Sequence, residues 1–362
     1  MRFLLALSLT CAAFTQPRAR DLGIPFDGTP GPLNAITDIK GIEVGHATIF
    51  RGDNVRTGVT AVVPRGRASS DAVFAGWFSL NGNGEMTGTT WIEESGFLEG
   101  PVMITNTHSV GVVRDAVLEY QVKKATPGMQ PWGLPVVAET WDGYLNEING
   151  FHVKPQHAFD ALDAARPGKV AEGSVGGGTG MVCHEFKGGI GTASRVFTTM
   201  PYTVGVLVQC NYGLRPQLRI AGVPVGREVT EGRTRKDEQG SIIIVIATDA
   251  PLLPHQLKRL ARRASMGLAR NGSTSGNGSG DIFVAFSTAN PDAAKPSDAR
   301  ELKMLPNEQM SPLFTATIEA VEEAIINALV AGRTMTGYQN HTVVGMPHDK
   351  VVEVLRKYNR IK

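Results

Sequence analysis

Between residues 229 and 249 the chain changes character abruptly. Val229 to Gln239 (VTEGRTRKDEQ) is polar and heavily charged, Gly240-Ser241 follows, and Ile242-Ile243-Ile244-Val245-Ile246-Ala247 is an unbroken apolar run rich in β-branched side chains. A short run of this kind, bounded by turn-forming and charged residues, reads as a strand buried on both faces, since it offers water no polar side. Ser241 stands where the solvated segment meets the core. On its own it is the residue that opens a strand. A small hydroxyl at such a junction is also within reach and rigidly aimed, which are the needs of a nucleophile.

The remainder of the chain supplies layers to cover that strand. Strands are expected at 42–46, 59–63, 101–105, 135–140, 190–199, 202–209 and 282–286. Helices are expected at 110–124, 157–165, from a cap at Asp249 to about Arg270, 311–331 with Pro312 in the first turn, and 349–357. Gly76 to Gly96, with its LNGNGEMTGTT core, reads as turns and loop. Strands and helices alternate, so the class is α/β or layered α+β. At 362 residues the chain is long enough for one large domain or two ordinary ones.

Charge and composition remove several function classes. A net charge of +2 is too small to argue for nucleic acid or an anionic membrane surface. Arg2 followed by the short apolar segment Phe3 to Phe14, with small residues at Ala12 and Ala13, reads as a secretory signal ending near residue 19. The alternative is a loose N-terminal arm. A cleaved signal places the protein in the periplasm or outside the cell. Ser8-Leu9-Thr10 before Cys11 matches a lipidation signal poorly, and no second apolar segment has the length of a membrane span. Cys183 and Cys210 are too few for a disulfide framework, so the fold must stand on its core. The eight histidines are scattered without zinc spacing, and His46, His108 and His184 read as local hydrogen-bond partners. Neither GSVGGGTG at 173–180 nor GNGSGD at 276–281 completes a nucleotide-binding motif; both read as turns. No metal and no cofactor is expected.

What remains is hydroxyl and carboxylate chemistry. Gly240 lacks a Cβ, so its peptide can take a strained conformation with the carbonyl open to the Ser241 hydroxyl. Attack there shifts the acyl group from N to O, and hydrolysis of the ester cuts the chain. The new α-amine, with a pKa near ~8, then lies beside the Ser241 hydroxyl as a local base.

At this point the segments RARDLGIPFDGTPGPLNAITD, TNTHSVGVVRDAV, VVAETWDGYLN, GSVGGGTGM, VLVQCNYG, GSIIIVIATDAPL and RNGSTSGNGSGDIFVAFSTAN together resemble the DmpA/BapA aminopeptidases, peptidase family S58, over essentially the whole mature chain. The family includes L-aminopeptidase/D-amidase-esterases and β-peptidyl aminopeptidases. The resemblance implies an α+β fold, a four-layer αββα sandwich resembling the N-terminal-nucleophile hydrolases in outline. It implies one catalytic domain cut between Gly240 and Ser241 into an α part (20–240) and a β part (241–362). It also implies a homotetramer of αβ units and no metal. By motif, it makes Ser241 the nucleophile and matches Ser279 and Asp281 to the downstream hydroxyl and carboxylate. Asn211 matches the amide that stabilises the oxyanion, and Tyr144 a tyrosine near the reacting centre. Glu139 is matched to recognition of the substrate's free ammonium. Here the acid of the GSGD motif is Asp281, where some members carry the longer Glu. The implied substrates are small peptides, amides or esters. The alternatives are an acyltransferase related to ornithine acetyltransferase, which the serine at 241 disfavours, or a catalytically silent binding protein on the same fold.

Overall fold

The computed structural model describes residues 16–234, 240–296 and 299–362. The expected leader through residue 15, and the end of the charged loop at 235–239, lie outside those residues. The first half of the chain forms β1 (Glu43–Arg51), β2 (Val55–Val63), β3 (Val73–Gly82), α1 (Thr89–Ser95), β4 (Phe97–Leu98), β5 (Val102–Asn106), α2 (Val110–Lys124), β6 (Val136–Thr140) and α3 (Pro155–Ala164). The second forms β7 (Val182–Cys183), β8 (Phe186–Lys187), β9 (Gly189–Val196), β10 (Thr203–Asn211), α4 (Val225–Glu228), β11 (Gly240–Thr248) and α5 (Pro254–Arg270). It ends with β12 (Ser279–Ser287), α6 (Ser311–Ala331), β13 (Met335–Thr336), β14 (Thr342–Val343) and α7 (His348–Lys357).

Two sheets lie face to face. One runs β4-β3-β12-β11-β10-β9 and the other β1-β2-β5-β6. Along β11 the side chains alternate between two apolar layers, as the period of two demands. Ile242, Ile244 and Ile246 pack with Leu257, Leu260 and Ala264 of α5 and Ala320, Ala324 and Ala328 of α6. Ile243, Val245 and Ala247 point the other way, to Val62, Ile104, Val136 and Ala138 of the second sheet. A third apolar layer, with Val59, Ala61 and Met103 on one side and Val113, Val117, Phe159 and Leu162 on the other, joins that sheet to α2 and α3. The result is a four-layer αββα sandwich, with the isoleucine run buried on both faces.

Several local expectations change. Gly76–Gly82 is the second half of β3, and Thr89–Ser95 is a helix. Gly76 is needed for a close approach, not a turn: a Cβ there would stand 2.4 Å from the Lys258 nitrogen and 2.8 Å from the Pro254 carbonyl of α5. Asp249 does not cap α5, whose first residue is Pro254; its Oδ1 accepts the Thr203 amide at 2.6 Å, closing the β10–β11 end. Val122, expected on the apolar stripe of α2, is exposed. Cys183 and Cys210 are joined by one disulfide. The glycine run at 173–180 folds into a buried 3-10 turn at Gly176–Gly178 under β2 and β9.

The expected leader boundary near residue 19 falls inside packed chain. Arg18 Nε and Nη2 bind Glu172, and the same guanidinium donates to the Leu33, Asn34 and Thr192 carbonyls. The Ala19 amide donates to Asn327 Oδ1 of α6 at 3.0 Å.

Candidate active site

The parallel pairing of β11 with β12 sets Gly240 beside Ser279, Ser241 beside Gly280 and Ile242 beside Asp281. On the other side, antiparallel pairing with β10 sets Asn211 opposite Ser241. Three strand ends therefore meet at one place, because all three apolar runs begin or end at the same level of the sheet. Gly240 enters β11 at φ +139, and a Cβ there would lie 1.8 Å from the Asn211 carbonyl, so only glycine fits.

Ser241 is 5% exposed, and its Oγ accepts the Gly280 N–H at 3.2 Å. Ser279 and Asp281 project to the same side of β12, and Ser279 Oγ donates to Asp281 Oδ1 at 2.6 Å. The shorter aspartate arm therefore reaches its hydroxyl. Asn211 is fully buried. Its Oδ1 accepts the Val182 N–H at 2.8 Å, and its Nδ2 donates to the Trp141 carbonyl at 2.8 Å. An N–H on one side and a C=O on the other leave a single amide orientation that satisfies both, with the second hydrogen of Nδ2 still free to donate.

Glu139, at the end of β6 in the facing sheet, is 3% exposed. Its Oε1 accepts the Glu85 N–H at 3.0 Å and its Oε2 accepts the Thr107 hydroxyl. It lies near the nucleophile: the position of a Cβ on Gly84 is 3.2 Å from Glu139 Oε1 and 3.2 Å from Gly280 Cα. Burial holds its carboxyl above the usual carboxylate range and the Glu85 charge adds to this, while the Thr107 and Glu85 hydrogen bonds and His108 act against it. Tyr144 sits further out. It packs with Leu145, Val182 and Val343, and its ring stacks on His341 at 4.4 Å. The structure thus brings Ser241, Asn211 and the Ser279–Asp281 strand start to one level of the sheet, with Glu139 close by in the facing sheet. By the alternation along β12 the Ser279 and Asp281 side chains turn to the Ile242 face, and Tyr144 stands beside the Val182 that supports Asn211.

Sequence reasoning missed the groups that hold these in place. Asn81 Nδ2 donates to the Ser275 and Gly276 carbonyls at 2.9 and 2.6 Å, and Asn83 Nδ2 to the Gly278 carbonyl at 3.1 Å. They pin the loop that delivers Ser279. Thr107 and the Glu85 amide orient Glu139. An Asn-Gly-rich stretch carries no signal that separates such roles from ordinary turns. Of the histidines, His46 is neutral, with burial pushing it down to about 4, and bonds to Thr60. His184 bonds to the Leu214 carbonyl, and His108 stacks on Phe151.

A cleft of about 220 Å³ lined by His108, Trp141, Gly143, Glu147 and Tyr338 adjoins the Glu139 side. A larger one of about 610 Å³ lies at the opposite ends of β11 and β12. Arg65–Asp71 (3.0 Å) and Lys295–Asp292 (2.6 Å) spend their charges on each other there. Among the described residues no group of three or more His, Cys, Asp or Glu could hold a metal ion, and no helix is long and apolar enough to cross a membrane.

Comparison with known proteins places this geometry in context. The model of peptidase family S58 matches residues 34–343. The chain is 53% identical to the beta-peptidyl aminopeptidase BapA of Sphingosinicella microcystinivorans, over 97% of this chain and 94% of that one. Among solved structures, a Burkholderia sp. beta-aminopeptidase superposes with a TM-score of 0.89 at 50% identity, covering 94% of this chain and 99% of the other. The L-aminopeptidase D-Ala-esterase/amidase of Ochrobactrum anthropi, a prototype serine aminopeptidase with a variant of the Ntn-hydrolase fold, superposes with a TM-score of 0.90 at 46% identity. The shares covered are 96% and 100%.

Proposed function

The chain belongs to peptidase family S58 and is an aminopeptidase, and on that premise we propose that it processes itself and uses Ser241 as its nucleophile. One observation carries the reading: Ser241 Oγ lies 3.2 Å from the N–H of Gly280, the residue between Ser279 and Asp281, which are themselves bonded at 2.6 Å. In the precursor, Ser241 Oγ passes its proton to that pair and attacks the Gly240 carbonyl carbon. The C–N bond breaks as the nitrogen takes up the proton, leaving an ester. Water adds to the ester, frees the Gly240 carboxylate and restores the hydroxyl.

The freed α-amine, with a pKa near ~8, stands beside Oγ and takes its proton when Oγ attacks a substrate carbonyl. N–H donors of Gly280 and Asn211 receive the charge developing on the acyl oxygen. The proton leaves with the departing amine or alcohol, and water hydrolyses the acyl-enzyme. Glu139 pairs with the substrate's ammonium and so restricts the enzyme to free N-termini. Substrates are short peptides, amides or esters. The relatives named for β-peptides favour a β-amino residue at the N-terminus, checked by comparing β-alanyl- with alanyl-p-nitroanilide.

This reading includes export to the periplasm or beyond, which the Cys183–Cys210 disulfide supports because such bonds persist in oxidising compartments. Since Arg18 is bound at five sites, the leader is cut upstream of it. The αβ units assemble into a homo-oligomer, a tetramer, for which Phe50, Met129, Trp132 and Phe151 offer exposed apolar surface.

A denaturing gel with N-terminal sequencing tests the core of the proposal. Two chains are expected, the smaller beginning Ser241-Ile242-Ile243-Ile244, and Ser241→Ala stays uncut and inactive. A processed Ser241→Ala would put the nucleophile elsewhere. Sequencing the larger chain locates the leader cut.

A further inference from the structure

Lys187 is fully buried, and its ammonium is surrounded by carbonyl oxygens: Gly188 at 2.8 Å, Met181 at 2.9 Å and Gly178 at 3.3 Å. Burial lowers the Lys187 pKa to about 7; in its protonated form the amine has three donors, and the cage has three acceptors. Burying an amine among apolar layers is costly, and it is tolerated only where each donor is met. Two of the acceptors lie on the segment that runs from the glycine turn into β7. That segment has one polar product at the strand ends: the Val182 N–H, immediately after Met181, which donates to Asn211 Oδ1 at 2.8 Å. Met181 is also gripped from the facing sheet by the Thr140 hydroxyl, which donates to its sulfur at 2.9 Å.

We infer that Lys187 is a positioning residue for the reaction. By drawing the 178, 181 and 188 carbonyls together it fixes the Val182 N–H, and through it the one orientation of the Asn211 amide that leaves an N–H free for the acyl oxygen. Lys187 touches neither substrate nor nucleophile. The inference rests on the reading of Asn211 as that donor.

The experiment is a double-mutant cycle on the processed enzyme, with aminoacyl-p-nitroanilide turnover normalised to cleaved chain by intact mass. Asn211→Ala lowers kcat by roughly 10²–10³-fold. Lys187→Met lowers kcat by roughly 10–100-fold with KM within about twofold, because a small misplacement of a transition-state donor acts on kcat. In the Asn211→Ala background, Lys187→Met changes kcat by less than about twofold. Equal losses from Lys187→Met in both backgrounds, or no loss beside a crippled Asn211→Ala, would overturn the Lys187 role alone. A fully active Asn211→Ala overturns the reading of Asn211 as well. Should Lys187→Met not fold, Lys187→Gln, which retains two donors, takes its place in the same cycle with the same criteria.

Discussion

Glu139 shows how far the role proposed for a single residue depends on its surroundings. Its sequence context, VAET at the end of an apolar strand, suits a core ion pair as well as a binding group. The fold gives it hydrogen bonds from Thr107 and the Glu85 amide, and among the described residues no ion pair within 4 Å. Burial is the largest influence on its carboxyl and raises its pKa. An ammonium is bound only by the ionised form. As pH falls through that raised pKa, Glu139 gains its proton and the substrate loses its partner, so kcat/KM falls at a pH above the usual carboxylate range. Glu139→Gln removes a charge-assisted bond and raises KM by roughly 10–100-fold, with this acid limb gone. A pH–rate series on both proteins checks it, and an unchanged KM would mean that the amine docks elsewhere.

At the scale of elements, the β7–β8 hairpin is the part of the site that was least legible. Its turn residues His184 and Glu185 both have positive φ, at 47° and 60°, where a hairpin of this kind ordinarily announces itself by Asn or Gly. What holds them is distant in sequence: Arg215 Nε donates to the His184 carbonyl and Nη2 to the Glu185 carbonyl, both at 2.8 Å. The disulfide from Cys183 to Cys210 ties the same hairpin to β10, one residue from both Val182 and Asn211. It closes a loop of sequence separation 27, so its loss releases denatured-chain entropy worth about 3.5 kcal/mol. Cys183→Ala with Cys210→Ala is therefore expected to lower Tm by roughly 5 °C. Calorimetry of the oxidised protein beside this variant measures it. By contrast α6 was readable almost to its ends, since Pro312 in its first turn and the Ala, Leu, Ile and Val recurring along its twenty-one residues are local helix signals that need no distant partner.

For the molecule as a whole, the proposed cut between Gly240 and Ser241 would not divide the fold. In the six-stranded sheet β11 and β12 lie between β3 on one side and β10 on the other, so strands from after the cut are flanked by strands from before it. Arg20 and Arg195 both pair with buried Glu323 of α6, at 2.8 and 2.9 Å, which binds the N-terminal segment to the C-terminal half. The two fragments are expected to stay together through dilution and salt, and to separate only when the core is unfolded. Affinity capture through a C-terminal tag, with and without denaturant, tests this; release of the larger fragment by salt alone would contradict it.

The sequence by itself determined the layered class, the doubly buried strand, the long helices and the family, with Ser241 at a junction between charge and core. Those are consequences of local periodicity and of short contiguous motifs, which a chain carries whether folded or not. Only the tertiary structure decided that Ser241, Gly280 and Asn211 lie at one level of one sheet. It also brought Glu139 to them from a second sheet and aimed the Asn211 amide through Val182 and a buried Lys187. Strand register and sheet stacking are set by packing between segments far apart in the chain, and no local pattern records them.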